Sequence, residues 1–432
     1  MSKKNENLQP GTKIPTVDGF EAEVVKYLGG GGQGDVYIVN YDGTQKALKW
    51  YKNLGDDPDE FRKNLIQNVK NESPSEDFLW PIDVTEWQDE TFGYIMDLKS
   101  DGYYELSEFL VGIQRFKSWK ICVDTCLEII TSFRLLHNKG YSYQDLNDGN
   151  FFINPNNGDV QIADNDNVAP SGTNLGIKGK PRYMAPEIVR GDNLPNTPSD
   201  RYSLALIIFM LICGGHPLEG RIGTPMVLTD KIAKEIYGDH PVFVYDPKDE
   251  SNRPIENVHT NVINVWKCLP GYMQAIFIDA FSQDSLHKCR RVTELDWIKA
   301  LVRFRSDIVR CGACKNAIFT VDGNKTKCDV CGRPANVQNT IKFYDYTIPA
   351  VAGTRIYRVQ LGTADAAEAL NPVGIIIAKK DNPKALGLRN LSDKTWNCVT
   401  SKGTDKNLEP KDVMPVKAGI KIKVFDEEFE IN

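Results

Sequence analysis

The 432-residue chain has no long hydrophobic run: the longest, Leu204 to Cys213, falls far short of the roughly 20 residues a membrane-spanning helix needs, and it reads as a buried helix. Its opening residues, MSKKNENLQP, carry charge but no apolar stretch of the kind that marks a secretory signal. Neither export nor membrane contact is expected, and the expected compartment is the cytoplasm. Charge of one sign is also lacking. The formal net charge of -6 gives no global field that would draw in nucleic acid. Histidine is scarce, at five residues, and none has compelling ligand spacing. No internal repeat and no long low-complexity segment is visible. Cysteine is present, ten in all, but only four fall in close pairs, which fits reduced thiols better than a disulfide framework. What remains is ordinary globular material, 41% hydrophobic and 25% charged. At about 150 residues per domain, the length predicts two or three domains.

The first ninety-odd residues alternate short β-prone runs with Gly and Asp turns, as at Val36 to Asn40 and Gln45 to Tyr51, and predict a small sheet. One helix is predicted from Pro58 to Val69, and a further strand from Phe92 to Leu98. From about Glu105 to Arg305 the pattern turns helical, with apolar residues spaced along Trp119 to Leu136. Between Arg305 and Ile341 apolar runs nearly vanish, which indicates a small, metal-dependent unit. Strand-like runs return at Arg355 to Leu361, Val373 to Ala378 and Gly419 to Phe425.

Candidate chemistry begins at Gly29, Gly30, Gly31, Gly32, Gln33 and Gly34, followed by Val36, a GxGxxGxV pattern with Gly29, Gly31 and Gly34 in the glycine slots. Glycine lets backbone approach phosphate closely, although a hairpin loop without ligand would read the same. No Gly-Lys-Ser/Thr closes the loop, and a strand rather than a helix follows, so neither a Walker A site nor a dinucleotide fingerprint is indicated. The next strand carries Ala47 and Lys49, whose ammonium could neutralise phosphate charge.

Tyr143-Gln-Asp-Leu-Asn-Asp-Gly-Asn150 resembles the catalytic loop of protein kinases, and Gln161-Ile-Ala-Asp-Asn-Asp166 resembles that family's DFG segment. The resemblance implies ATP and Mg²⁺, with Asp145 orienting the acceptor hydroxyl, Asn150 and Asp164 holding metal, and Lys49 pairing phosphates. Gly179-Lys-Pro-Arg-Tyr-Met-Ala-Pro-Glu187 resembles the end of an activation segment. Asp200 opens a helix resembling the family's central one, and Arg291 resembles the late arginine that pairs with the segment's glutamate, here Glu187. The implied adenine hinge is Met96-Asp97-Leu98-Lys99. The resemblance covers roughly residues 22 to 305.

Several positions depart from the family pattern. Tyr143 and Gln144 stand where His and Arg are usual, which removes the receptor of an activation-loop phosphate. Asn165 and Asp166 replace Phe and Gly, losing an apolar contact and a flexible hinge. Lys180 replaces a threonine, and Asn147 replaces a lysine that would supply a cation, so slow turnover is expected. The predicted helix offers Glu60 as partner for Lys49, with only Asn64 and Asn68 nearer the usual spacing.

Cys311, Cys314, Cys328 and Cys331 form CxxC-x13-CxxC, a spacing that predicts Zn²⁺ held by four thiolates and a metal that supplies the folding free energy. The pattern resembles a zinc ribbon. Cys122, Cys126, Cys213, Cys268, Cys289 and Cys398 are expected in cores. Leu386 to Ser392 with Trp396, and Pro415 to Val424, resemble later strands of forkhead-associated β-sandwiches, whose Gly-Arg and Ser-x-x-His elements are missing because Ile375 follows Gly374.

The expected architecture is therefore multidomain α+β. After an N-terminal segment at 1–21 comes a bilobal protein-kinase-like domain at 22–305, its sheet lobe 22–98 and its helical lobe 99–305, then a zinc ribbon at 306–338 and a small all-β, forkhead-associated-like sandwich at 339–432. The whole resembles bacterial Ser/Thr kinases of tellurite-resistance systems, which implies a protein substrate and, as partners, a metal-dependent phosphatase and a von Willebrand-type protein. Two other readings stand beside it: a nucleotide-binding pseudokinase scaffold, motivated by the altered motifs, and a nucleic-acid adaptor, motivated by Lys315, Lys325 and Lys327 on the ribbon.

Overall fold

Period-two patterning builds the first lobe. In the computed structural model β1 (Lys13–Pro15), β2 (Glu21–Gly30), β3 (Gly34–Tyr41), β4 (Thr44–Tyr51), β5 (Asp83–Val84) and β6 (Gly93–Met96) form one sheet in the order β1-β2-β3-β4-β6-β5. The structure describes residues 8–432 except 174, 177–178, 225–227, 289, 322–326, 336 and 364. Cys289 and Lys325, named above, lie outside the described residues. Alternation along β4 sorts its side chains: Leu48 and Trp50 enter a core with Val24, Tyr37 and Val39, whereas Ala47 and Tyr51 enter another with Phe61, Leu65 and Tyr94. Lys49 shares parity with Ala47 and Tyr51, which directs it to the second face.

Helix α1 (Pro58–Lys70) closes that face. Asp57 caps it by accepting the Glu60 N–H at 3.0 Å, Pro58 opens it, and Phe61, Leu65 and Asn68 are its buried stripe. The edge strand Lys13–Pro15 lies within the stretch read as an N-terminal segment; three residues pairing with Glu21–Glu23 are too few to show alternation.

The second lobe is built on three helices. Thr197–Cys213 is buried on nearly every side, as a helix apolar all round must be. Trp119–Asn138 packs against it and against Glu294–Asp307, which Thr293 and Asp296 cap reciprocally. Among the described residues no helix is long and apolar enough to cross a membrane.

Glu294–Asp307 passes directly into the strand Ile308–Arg310, paired with Ala317–Phe319. Phe319 stands edge-on to both Trp119 and Phe304, so this hairpin is seated on the helical lobe. Beyond it, a six-stranded and a four-stranded antiparallel sheet enclose one core containing Ile341, Ile376, Leu388, Trp396, Ile422 and Phe429. The run Arg355 to Leu361, expected as one strand, is a strand only at Arg355–Tyr357 and then a 3-10 turn at Arg358–Leu361. The reason is packing: Tyr357 and Val359 turn into the helical lobe's core. Arg303 of the last long helix lies 3.9 Å from the Tyr272 ring centroid and 4.8 Å from that of Tyr346, joining helical lobe and C-terminal sheets.

Candidate functional site

Between the two lobes, Lys49 is 5% exposed. Its ammonium donates to Asp164 Oδ1 at 3.2 Å, to both oxygens of Asp166 at 3.1 and 2.9 Å, and to Gln33 Oε1 at 2.8 Å. Burial alone would lower the Lys49 pKa, but the carboxylates of Asp164 and Asp166 outweigh it and the net direction is upward. Asp166 is 0% exposed and also accepts from Tyr51 Oη at 2.7 Å and Tyr94 Oη at 3.3 Å. Asp164, by contrast, has a side chain 38% exposed. Glu60 takes no part; it sits in the first turn of α1, with Lys63 at 3.8 Å. Asn64 and Asn68 both donate to the Val168 carbonyl at 2.8 Å.

The loop bearing Asp145 and Asn150 joins this group through its backbone. Asn150 Nδ2 donates to the Asp145 carbonyl at 2.8 Å, and the Asn150 carbonyl accepts from Ala163 N–H at 2.9 Å, one residue before Asp164. The Asp145 carboxylate keeps one oxygen, Oδ1, buried without a hydrogen-bond partner among the described residues. Burial raises its pKa, with the Asn147 amide and the Asp164 charge acting in opposite senses. A Cβ at Gly179 would lie 3.2 Å from that same oxygen, so the activation segment passes close over it.

Residues that break the family pattern hold the site by other bonds. The Tyr143 hydroxyl donates to the Ala163 carbonyl. Gln144, at φ 70, donates its amide to the Thr173 carbonyl at 2.9 Å, tethering the activation segment without a phosphate. Asn165 donates to the Leu79 and Ile162 carbonyls, both at 2.8 Å, so the lost apolar contact is replaced by polar anchoring. Lys180 brings its ammonium to 3.0 Å from Asn147 Oδ1, so a cation of the activation segment stands beside position 147, where the family's lysine is missing. Gln144 and Asp164 both have left-handed backbone, strain of a kind that collects at functional sites.

Beneath the loop, Asp200 accepts from the Tyr143 N–H at 2.7 Å, and Glu187 pairs with Arg291 at 2.8 and 2.7 Å with both side chains buried. At the loop's upper wall a Cβ on Gly29, Gly31 or Gly32 would meet nothing within 4 Å, whereas one on Gly34 would lie 2.5 Å from the Trp50 carbonyl. The first three leave room for a ligand and the last is needed for packing. Val36, Ala47, Met96 and Leu98 gather in one apolar cluster, while Asp97 is exposed and ion-paired to Lys46 at 2.5 Å.

Apart from this cleft, the Sγ atoms of Cys311, Cys314, Cys328 and Cys331 all lie within 4.8 Å of one another. Cys311 and Cys331 are 3.7 Å apart, and Cys314 and Cys328 3.4 Å, near the roughly 3.8 Å that tetrahedral Zn–S bonds of about 2.3 Å require. The side-chain amide and backbone N–H of Asn316 pull the Cys314 thiol down to about 6. Cys122, Cys126, Cys213 and Cys398 are buried, but Cys268 is only half-buried, 3.6 Å from Asp329 of the cysteine-rich unit; it is a boundary residue, not a core one.

Asp166 and Lys180 escaped notice because a family pattern reports them only as losses. The signal was present: a lysine expected in a cleft, no acidic residue at the helix position to meet it, and an extra aspartate two residues after Asp164.

The family described as protein kinase domain matches residues 22–269. The probable serine/threonine-protein kinase MARK-C of Dictyostelium discoideum is 28% identical over 207 residues, 46% of this chain and 26% of that protein. A probable cAMP-dependent protein kinase catalytic subunit of Encephalitozoon cuniculi is 28% identical over 202 residues, 45% of this chain and 61% of that protein. Protein kinase YegI of Escherichia coli O157:H7 is 25% identical over 238 residues, 53% and 35% respectively. The chain thus spans less than two thirds of the length of each of these relatives. The crystal structure of the Mycobacterium tuberculosis PknI kinase domain covers 49% of this chain and 77% of its own, at 22% identity and a TM-score of 0.37.

The support under the catalytic-type loop is sensitive to pH. His137 bridges Asp200 at 3.1 Å and Glu294 at 2.7 Å. Burial opposes its charge, but the two hydrogen-bonded carboxylates prevail and raise its pKa from 6.5 to about 9. A raised folded-state pKa means the stabilisation is fully present below about 6.5 and is lost as pH rises through about 9, a change on the order of 3 kcal/mol. Chemical denaturation at pH 6 and pH 9.5 should show that fall, and His137→Gln should flatten it; an unchanged slope in the variant would remove His137 as its source.

Proposed function

The chain belongs to the protein kinase domain family, whose profile covers residues 22–269, and from that premise we propose an ATP- and Mg²⁺-dependent protein kinase that phosphorylates serine or threonine hydroxyls of a partner protein or of itself. The observation that carries this reading is the convergence of Lys49, Asp164, Asn150 and Asp145 on one cleft by the bonds given above. Phosphoryl transfer asks a protein mainly for position and charge neutralisation. Lys49 provides a fixed buried cation, and Gly29, Gly31 and Gly32 leave the loop above it open to phosphate. Asp145 offers a buried oxygen, without a partner among the described residues, where a hydroxyl proton can be accepted. Asn150 and Asp164 suit Mg²⁺ as hard oxygen donors, one orienting its amide through the Asp145 carbonyl and the other exposed to the cleft; bound there, the ion would neutralise phosphate charge. Lys180, at the acceptor side, is a second cation for the transferring group.

This assignment is tested by incubating the chain with ATP and Mg²⁺ and measuring incorporated phosphate. Asp145→Asn should lower incorporation by about 10²-fold or more, the scale of a lost general base. Unchanged incorporation in the variant would remove Asp145 from the chemistry. Nucleotide binding without transfer by the native chain would favour the scaffold reading.

Within the same proposal, residues 22–305 form the kinase domain, 306–338 a zinc ribbon and 339–432 a forkhead-associated-like sandwich, supported by the thiol cluster and by two sheets around one core. Four thiolates leave zinc no open position, so its role is structural. Metal analysis should find about one zinc per chain, as four ligands imply, and Cys314→Ser with Cys328→Ser should release it; a metal-free native chain would refute the ribbon. The link to tellurite resistance, the phosphatase and von Willebrand-type partners, and a cytoplasmic site of action rest on the motif resemblance and the reduced cysteines.

A further inference from the structure

Lys49 is a buried ammonium whose two carboxylate partners differ in kind. Asp164 has a side chain 38% exposed to the cleft and is the residue read as a metal ligand; Asp166 is wholly buried. Any carboxylate that turns to a metal weakens its hold on Lys49, and a buried charge left without a partner is heavily penalised. Helix α1 cannot fill that gap: Glu60 is exposed on its first turn, and Asn64 and Asn68 commit their amides to the Val168 carbonyl. Asp166 is meanwhile over-determined for a turn residue. It receives Lys49 at both oxygens, Tyr51 at 2.7 Å and Tyr94 at 3.3 Å. Tyr51 lies on β4, the strand that carries Lys49, and Tyr94 on its neighbour β6, directly opposite Lys49, so the carboxylate is fixed to the same sheet that carries the lysine.

We propose that Asp166 is the positioning residue for Lys49, a permanent counter-ion that keeps the ammonium aimed into the cleft whether or not Asp164 is engaged by metal. It replaces a carboxylate from helix α1, so movement of that helix neither makes nor breaks the pair. The amide tethers from Asn64 and Asn68 bind α1 to the residues just after Asp166, making helix and segment one unit. With Gln144 holding the activation segment by neutral hydrogen bonds, the site is assembled without a helix swing or a phosphate on the segment. This inference rests on the reading of Lys49 as the phosphate-binding cation.

The test is a double-mutant cycle on the full chain, using initial rates of ATP-dependent phosphate incorporation with kcat and KM for ATP separated, and melting temperatures recorded alongside. Asp166→Asn keeps the shape and removes the charge. It should lower kcat/KM for ATP by roughly tenfold or more, the scale of a lost charged hydrogen bond. Lys49→Met should cost at least as much, and the double variant should be no worse than Lys49→Met alone, because Asp166 acts only through Lys49. Losses that multiply, or an Asp166→Asn chain as active as the native one, would overturn the proposal. Should Asp166→Asn fail to fold, Tyr51→Phe removes one bond to Asp166 while leaving its charge covered; its loss should likewise vanish in the Lys49→Met background, and persistence there would overturn the proposal. Glu60→Gln should leave the rates unchanged, and a loss comparable to that of Asp166→Asn would return the role to the helix. If Lys49→Met itself is fully active, it is the reading of Lys49 that fails, and this inference falls with it.

Discussion

A lysine ammonium withdrawn from water between two lobes is the constraint on which this architecture depends. Alone, such a charge would be discharged by burial or would pull the lobes apart to reach solvent. Asp164 and Asp166 prevent both outcomes, and they do so from the helical lobe, so the pair also pins one lobe to the other. The glycine loop, the apolar cluster around Ala47 and Met96, and the loop bearing Asp145 are arranged around that fixed point.

The altered motif positions follow from the same logic. Three of them place a neutral, directional hydrogen bond where the family has another device: the Tyr143 phenol on the Ala163 carbonyl, the Gln144 amide on the Thr173 carbonyl, and the Asn165 amide on the Leu79 carbonyl. Neutral hydrogen bonds of this kind do not depend on modification and are little affected by salt. Below the site, His137 between two carboxylates is the exception, a charge whose contribution depends on pH.

Much of this was legible in the residues. The resemblance to protein kinases, carried by motifs that are short and local, singled out Lys49, Asp145, Asn150 and Asp164 together, and the structure brings Lys49 to 3.2 Å from Asp164. Parity alone decides that Lys49 faces with Ala47 and Tyr51. The four thiols were legible for the same reason, being two tight turns with fixed spacing. What was hidden depends on distant contacts. Asp166 is two residues from Asp164 in sequence, yet its partners, Tyr51 and Tyr94, lie more than seventy residues earlier. The strand expected to continue from Tyr357 fails because the helical lobe captures Val359, and the edge strand at Lys13–Pro15 exists only through its pairing with β2. Tertiary contact decided both cases, burial in the first and strand pairing in the second.

If the cleft is one phosphate-handling site, ATP binding must depend on magnesium through Asp164. Calorimetric titration of the full chain with ATP, with and without Mg²⁺, measures this directly. The native chain should bind ATP at least about tenfold more tightly with the ion, a difference of about 1.4 kcal/mol, and Asp164→Asn should abolish the difference. Equal affinity in both conditions, or a magnesium effect that survives in Asp164→Asn, would contradict the account.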